Sequence, residues 1–70
     1  MQKRSLSIAG HRTSIALERE FWEGLEALAV HRNLPLTALI REIDETRQSA
    51  NLSSSLRIAV LEFYRNGVKA

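Results

Sequence analysis

The sequence predicts a mainly α-helical protein with one short β-strand near its N-terminus and a third, C-terminal helix, assembled as an intertwined homodimer. Three observations support this fold class. Residues 12 to 17 alternate between polar and apolar side chains, and apolar residues then recur at helical spacing. A chain of 70 residues without cysteine also buries too little surface to be more than marginally stable alone, which favours a dimer.

The predicted strand has one apolar face. Thr13, Ile15 and Leu17 alternate with Arg12, Ser14 and Ala16. A lone strand leaves backbone N–H and C=O groups unpaired on both edges, and the rest of the chain offers only helices and one less certain strand. The simplest partner is the same strand from a second copy. We therefore expect an intermolecular antiparallel two-stranded ribbon.

Residues 1 to 11 form either a basic N-terminal arm or an extra strand. Leu6 and Ile8 also alternate with polar residues, but their parity is opposite to that of the apolar residues in the strand. A two-residue period cannot change parity without a break, so a turn or bulge is expected at Gly10.

Three helices follow at the spacing of amphipathic segments. The first is expected to begin near Glu18 or Arg19 and to end at about Arg32, with Gly24 allowing another element to approach closely. The second is expected to span about 35 to 48, after a left-handed stop at Asn33 and with Pro35 in its first turn.

The third helix is expected to start from a cap at Asn51 or at one of the three serines that follow Leu52. It should continue to Tyr64 or Arg65, where Asn66 and Gly67 end it. The apolar residues of the strand and the first two helices are the predicted dimer core. They are Ile15, Leu17, Phe21, Trp22, Leu25, Leu28, Leu39, Ile40 and Ile43.

Composition excludes several classes of function. There is no cysteine for a disulfide, and two isolated histidines do not make a zinc site, so we expect no metal and no cofactor. No acid-base or nucleophile cluster is present, which argues against an enzyme. No signal peptide or membrane-spanning run is visible, and a cytoplasmic protein without membrane contact is expected.

Charge is distributed unevenly along the chain. The net charge is only +2, but residues 1 to 17 contain Lys3, Arg4 and Arg12 and no acidic residue. In a symmetric dimer with paired strands, both basic segments lie together and form a cationic patch.

Two segments carry a resemblance to a known family. Ser14-Ile-Ala-Leu-Glu-Arg-Glu-Phe is a strand that runs into a helix, and Asn33-Leu-Pro-Leu-Thr-Ala-Leu-Ile-Arg-Glu is a tight turn between helices. Together they resemble the ribbon-helix-helix family of the Arc/MetJ type, and the whole chain is similar to a short bacterial subgroup with an extra C-terminal helix. On this resemblance, the chain divides into an arm or extra strand at 1–11, a ribbon-helix-helix core at 12–48 and a C-terminal helix at 49–70.

The resemblance implies a sequence-specific DNA-binding transcriptional regulator, in particular a repressor, whose ribbon enters the major groove of double-stranded DNA. Arg12, Ser14 and Ala16 would then face base edges. The start of the second helix, at Leu36 and Thr37, would hold a backbone phosphate. The remaining implied phosphate contacts are Lys3, Arg4 and His11.

Two alternatives remain open. The first is an antitoxin, in which residues 49 to 70 bind a toxin protein, although Leu56, Val60 and Phe63 favour packing in the free protein. The second is a structural dimer without DNA affinity, which the low net charge and Ala16 would allow. A dimer of dimers is a further possible assembly on DNA.

Overall fold

A computed structural model of the chain describes residues 1–46 and 50–67, and within them two strands precede three helices. The elements are β1 (Gln2–Ile8), β2 (His11–Leu17), α1 (Arg19–Arg32), α2 (Leu36–Thr46) and α3 (Leu52–Arg65). The predicted arrangement of an N-terminal ribbon followed by three helices is confirmed. Of the two alternatives for residues 1–11, an arm or an extra strand, the structure has the extra strand, β1.

The predicted strand finds its partner within its own chain. β1 and β2 pair in antiparallel orientation, from Gln2 opposite Leu17 to Ile8 opposite His11. β1 therefore satisfies the backbone groups on one edge of β2, and the expected pairing of β2 with the same strand of a second copy stays a prediction. This ribbon is intramolecular, and association of two chains stays a prediction.

A two-residue turn explains the change of parity between the strands. Ala9 and Gly10 both have positive φ, at 53° and 83°, as the central residues of a type I′ hairpin turn do. Even-numbered residues of β1 consequently pair with odd-numbered residues of β2. Leu6 and Ile8 therefore lie on the same face as Ile15, and the predicted turn at Gly10 is confirmed.

The core lies between one face of this hairpin and the three helices. Its buried residues are Ile8, Ile15, Leu17, Trp22, Leu25, Leu28, Ala29, Leu39, Ile40, Leu56 and Val60. All of the predicted dimer-core residues belong to this core, except that Phe21 and Ile43 are half-buried against it. Because the hairpin covers them within one chain, their part in a dimer stays a prediction.

The turn between α1 and α2 follows the predicted chemistry. Asn33 has a left-handed conformation, with φ 60° and ψ 41°, and ends α1. The amide of Leu34 donates to the carbonyl of Ala29 at 2.9 Å, which satisfies a carbonyl in the last turn. Pro35 directly precedes α2, and its carbonyl accepts the first helical hydrogen bond from Leu39.

The next features are the end of α2 and the start of α3. α2 is described to Thr46, and its predicted end at residue 48 lies outside the described residues. The side chain of Asn51 caps α3 by accepting from the amide of Ser54 at 3.2 Å, as expected.

Within the described part of the chain, no helix is long and apolar enough to cross a membrane.

α3 packs closely on α1 at Gly24. A Cβ atom at this position would lie 2.5 Å from Cγ1 of Val60, a separation at which something must move. Val60 is buried and its β-branched side chain is restricted in χ1. The predicted role of Gly24 in close approach is therefore confirmed, and the element that approaches is α3.

An ion pair also joins α3 to the junction between β2 and α1. Nε of Arg57 donates to one carboxylate oxygen of Glu18 at 3.0 Å, and a second guanidinium nitrogen donates to the other at 3.3 Å. This bidentate contact lowers the pKa of the Glu18 carboxyl below its usual value. It fixes α3 at the point where the ribbon enters the helical part of the chain.

We expect Gly24→Ala to lower the free energy of unfolding by roughly 1 to 2 kcal/mol, because overpacking against Val60 outweighs the better helix propensity of alanine. Urea unfolding measures this change. In the double variant Gly24→Ala/Val60→Ala, the second substitution removes the clash, so the two losses should not add. A stabilised Gly24→Ala protein would contradict close packing of α1 and α3.

We expect the stabilisation from the Glu18–Arg57 ion pair to depend on pH. Since the folded-state pKa of Glu18 is lowered, its contribution is present above the usual carboxyl pKa and is lost as pH falls through the lowered value. Urea unfolding of wild type and Glu18→Gln between pH 7 and pH 2 should therefore converge at the acidic end. In an Arg57→Ala background the same substitution should have a smaller pH-dependent effect, because the backbone hydrogen bond of Glu18 still lowers its pKa. An undiminished effect would contradict the ion pair as the main cause.

Candidate nucleic-acid interface

The register of the hairpin creates a second, exposed face opposite the core. Paired residues of antiparallel strands point to the same side of the sheet. The pairs on this outer face are Lys3 with Ala16, Ser5 with Ser14, and Ser7 with Arg12. All six are exposed except Ala16, which is half-buried. The predicted base-facing residues of β2 therefore share one surface with three residues of β1.

The outer face is small, polar and positively charged. It contains three hydroxyls and two cations and no acidic residue. The hydroxyl oxygens of Ser5 and Ser14 lie 3.3 Å apart at its centre and form a hydrogen bond across the two strands. The three serines are short and exposed, so a large polyanion can approach this surface closely.

The inner face holds Arg4, although its neighbour Lys3 lies outside. The Arg4 guanidinium lies 4.5 Å from the centre of the Trp22 ring, and its Nη1 donates to a carboxylate oxygen of Glu26 at 3.0 Å. Its charge is therefore paired with an acid on α1. The predicted phosphate contact by Arg4 stays untested, but this geometry favours Lys3 for that role.

Trp22 belongs to the core, as expected, and does not offer a stacking surface for nucleic-acid bases. Its side chain is fully buried. Its indole Nε1 donates to the backbone carbonyl of Gln2 at 2.9 Å, which ties the start of β1 to α1. Trp22 and Arg4 together therefore hold β1 in the hairpin.

His11 is exposed beside the turn, opposite Ile8, and so lies outside the six-residue outer face. Its predicted phosphate contact stays a prediction.

The start of α2 lies beside the outer face. Ser7 and Ala9 of the hairpin and Thr37 and Ala38 of α2 line one open pocket of about 350 Å³. The first amides of a helix have no acceptor within the helix, and its dipole attracts anions. Leu36 and Thr37 occupy these positions, so the predicted phosphate-holding turn is brought next to the predicted base-reading ribbon.

Charged residues on the far side of this pocket largely compensate one another. Arg41 donates to Glu45 at 3.1 Å, and Arg32 donates to Glu42 at 2.6 Å. A phosphate at this end of α2 would therefore be held by backbone amides and by the exposed Thr37 hydroxyl, with little help from net charge.

Sequence reasoning missed Ser5 and Ser7 as members of the candidate site. Their strand had been recognised only as alternating, and its partner had not been assigned. The signal that could have identified the hairpin is the two-residue connection at Ala9 and Gly10, because alternating segments joined by two residues are typical of a β-hairpin.

Comparison with known proteins gives one match. A sequence model described as a ribbon-helix-helix domain matches residues 1–64, which include both strands, α1, α2 and nearly all of α3. Neither a curated protein nor a solved structure matches the chain.

We expect Lys3→Ala and Arg4→Ala to affect different properties, because these adjacent cations lie on different faces. In Lys3→Ala, the slope of log affinity for DNA against log salt concentration should become shallower by about one unit per chain, and urea unfolding should be unchanged. Arg4→Ala should lower the free energy of unfolding by about 1 kcal/mol and leave that slope unchanged. A reduced slope in Arg4→Ala would contradict its assignment to the inner face.

Proposed function

Because the chain belongs to the ribbon-helix-helix family, whose members generally bind DNA and form dimers, we propose that it is a homodimeric, sequence-specific transcriptional repressor. The outer face of its ribbon enters the major groove, and the start of α2 holds the adjacent phosphate backbone. The proposal places the protein in the bacterial cytoplasm with the DNA that it regulates.

The main support for this proposal is that Ser7 belongs to both parts of the candidate interface. Ser7 belongs to the outer face through its pairing with Arg12, and it also lines the pocket that Thr37 lines at the start of α2. A reading surface and an anion-attracting helix end therefore adjoin one another. Base edges and backbone phosphates adjoin in the same way along a groove.

Each residue of β2 on the outer face has a distinct capacity for readout. The guanidinium of Arg12 can donate two hydrogen bonds to a guanine, and the hydroxyl of Ser14 can donate or accept. Ala16 can contact only a thymine methyl. The major groove is about 12 Å wide and admits a two-stranded ribbon, so these three side chains can reach base edges together.

A dimer presents two copies of this surface. Operators of dimeric repressors repeat their half-sites, because the symmetry of the protein is mirrored in the DNA. Large apolar side chains remain exposed on the helices, including Val30 at 80% and Leu61 at 61%. Their exposure supports association with a second chain, since apolar surface is buried on dimerisation.

The packing of α3 favours the repressor over the antitoxin. Antitoxin segments that bind toxins are usually disordered when free, whereas Leu56 is fully buried and Val60 nearly so. Binding to nonspecific DNA at low salt would distinguish the repressor and the antitoxin from a structural dimer, which would not bind.

We expect purified protein to select a preferred sequence from random duplexes and to lose affinity steeply as salt rises. Arg12→Ala should reduce discrimination at one base position by about 1 to 3 kcal/mol while the protein stays folded. Fluorescence anisotropy with selected and scrambled duplexes measures both effects.

Arg19→Ala is the matched control, because Arg19 is also an exposed arginine but lies on α1, with only a 3.8 Å contact to Glu23. It should keep the preferred sequence. If Arg12→Ala and Ser14→Ala both discriminate as wild type does, the outer face does not read bases. Absence of binding to any duplex at low salt would exclude DNA binding itself.

A further inference from the structure

We propose that Arg57 of α3 is a positioning residue for DNA recognition, which acts through its ion pair with Glu18 to fix the direction of β2 and so the placement of Arg12 on DNA. This inference rests on the proposed function and assigns α3 a part in it. In this role Arg57 contacts no base, and its effect passes through Glu18 to the reading strand.

Glu18 is the single residue between β2 and α1, since β2 ends at Leu17 and α1 begins at Arg19. Its backbone is extended, with φ −61° and ψ 147°, and its carbonyl accepts from the amide of Phe21 at 2.9 Å. The chain changes direction at this residue. The conformation of Glu18 therefore sets the angle between β2 and α1.

The side chain of Glu18 does not cap its own helix. A preferred N-cap side chain accepts a hydrogen bond from an amide in the first turn, but Glu18 makes no such bond. Its two carboxylate oxygens instead accept from Nε of Arg57 at 3.0 Å and from Nη2 at 3.3 Å. Two hydrogen bonds from a planar guanidinium fix direction as well as distance. The junction is thus oriented by a residue on α3.

Arg57 is itself held in place. Its guanidinium lies 5.8 Å from the centre of the Phe21 ring, and its side chain is only 34% exposed. Its helix is anchored on the core, because Leu56 is fully buried and Val60 packs closely on Gly24. The ion pair therefore connects the junction to a fixed helix.

α3 contacts β2, α1 and α2. The proposed function requires β2 to meet base edges while the start of α2 meets a phosphate. Both contacts fit one duplex only if β2 and α2 keep a constant separation, because bases and phosphates have fixed relative positions along a groove. Since α3 touches both elements, it is placed to maintain that separation.

A small rotation at Glu18 is enlarged along β2. From Leu17 to Arg12 the strand extends about 17 Å, at about 3.3 Å per residue. A rotation of about 5° would displace Arg12 by about 1.5 Å, whereas a recognition site requires placement within about 0.5 Å. Ile15 and Leu17 hold the inner face of β2 in the core, but apolar contacts are non-directional. The directional contact at Glu18 is therefore suited to fixing the angle.

The first experiment measures the ratio of affinities for the selected and scrambled duplexes. Arg57→Gln breaks the bidentate contact and should reduce this ratio by about fivefold to tenfold, the effect of impairing one base contact. Arg65→Gln is the matched control, because it removes the same charge from an exposed position on the same helix. It should leave the ratio unchanged, and the two variants should bind the scrambled duplex equally well.

Glu18→Gln tests the same contact from its other end. It should lower the ratio in the same way, and Glu18→Gln/Arg57→Gln should lower it no further than Arg57→Gln does, because both variants break one contact. Glu23→Gln, which breaks the ion pair with Arg19 on α1, is its control and should keep the ratio.

The double variant Arg12→Ala/Arg57→Gln distinguishes positioning from a general structural effect. In an Arg12→Ala background, Arg57→Gln should lower the ratio less than it does in wild type, since the contact that it positions is already absent. Full addition of the two losses would contradict action through Arg12.

The second experiment examines the free protein. In a nitrogen–proton correlation NMR spectrum, the amide resonances of residues 12 to 17 should move in Arg57→Gln and stay in place in Arg65→Gln. Both variants should remain folded in urea titrations, because a half-exposed ion pair contributes little to stability. If Arg57→Gln does not fold, Glu18→Gln and Arg57→Lys decide, since lysine keeps the charge and lacks the planar fork.

An unchanged ratio in folded Arg57→Gln and Glu18→Gln would overturn the proposal, and the proposed function would still stand if Arg12→Ala lowers the ratio. Equal losses in Arg57→Gln and Arg65→Gln would also overturn it, because charge alone would then be the cause. Unmoved resonances of β2 would overturn it without reference to DNA. If wild type binds no duplex at low salt, the proposed function fails together with this inference.

Discussion

The antiparallel pairing of β1 with β2 is the constraint on which the rest of the structure depends. A two-residue turn with positive φ at Ala9 and Gly10 sets the register, and the register decides which side chains face the helices and which face outward. A slip of one residue would bring polar side chains to the core and Ile15 to the surface. The hydrophobic core and the candidate reading surface are therefore two results of one pairing.

The two faces of the hairpin give the adjacent cations Lys3 and Arg4 different roles. Arg4 faces inward, where Trp22 and Glu26 occupy its guanidinium, and so it contributes to holding the strand. Lys3 faces outward with Ser5 and Ser7, in a row that contains no acidic residue. A modest net charge is thus concentrated where a polyanion can approach, because part of the remaining positive charge is compensated within the fold.

The helices keep the ribbon in place and align it with the start of α2. Trp22 fixes the beginning of β1, the ion pair between Glu18 and Arg57 fixes the end of β2, and close contact at Gly24 seats α3 on α1. Each of these contacts is distant from the outer face. Their combined effect is to hold the ribbon and the first turn of α2 as neighbours, and this proximity gives the site its geometry.

The sequence by itself determined the helices, the turn at Asn33, the break at Gly10 and the outward orientation of Arg12, Ser14 and Ala16, because these follow from local periodicity and capping. Only the tertiary structure decided that β1 pairs with β2, that Arg4 turns inward and that Ser5 and Ser7 join the site. Strand pairing depends on contacts between separate segments, and alternation within one segment does not specify its partner. A strand has two edges, and the hairpin turn and the contacts of Trp22 pair one edge of β2 with its own chain.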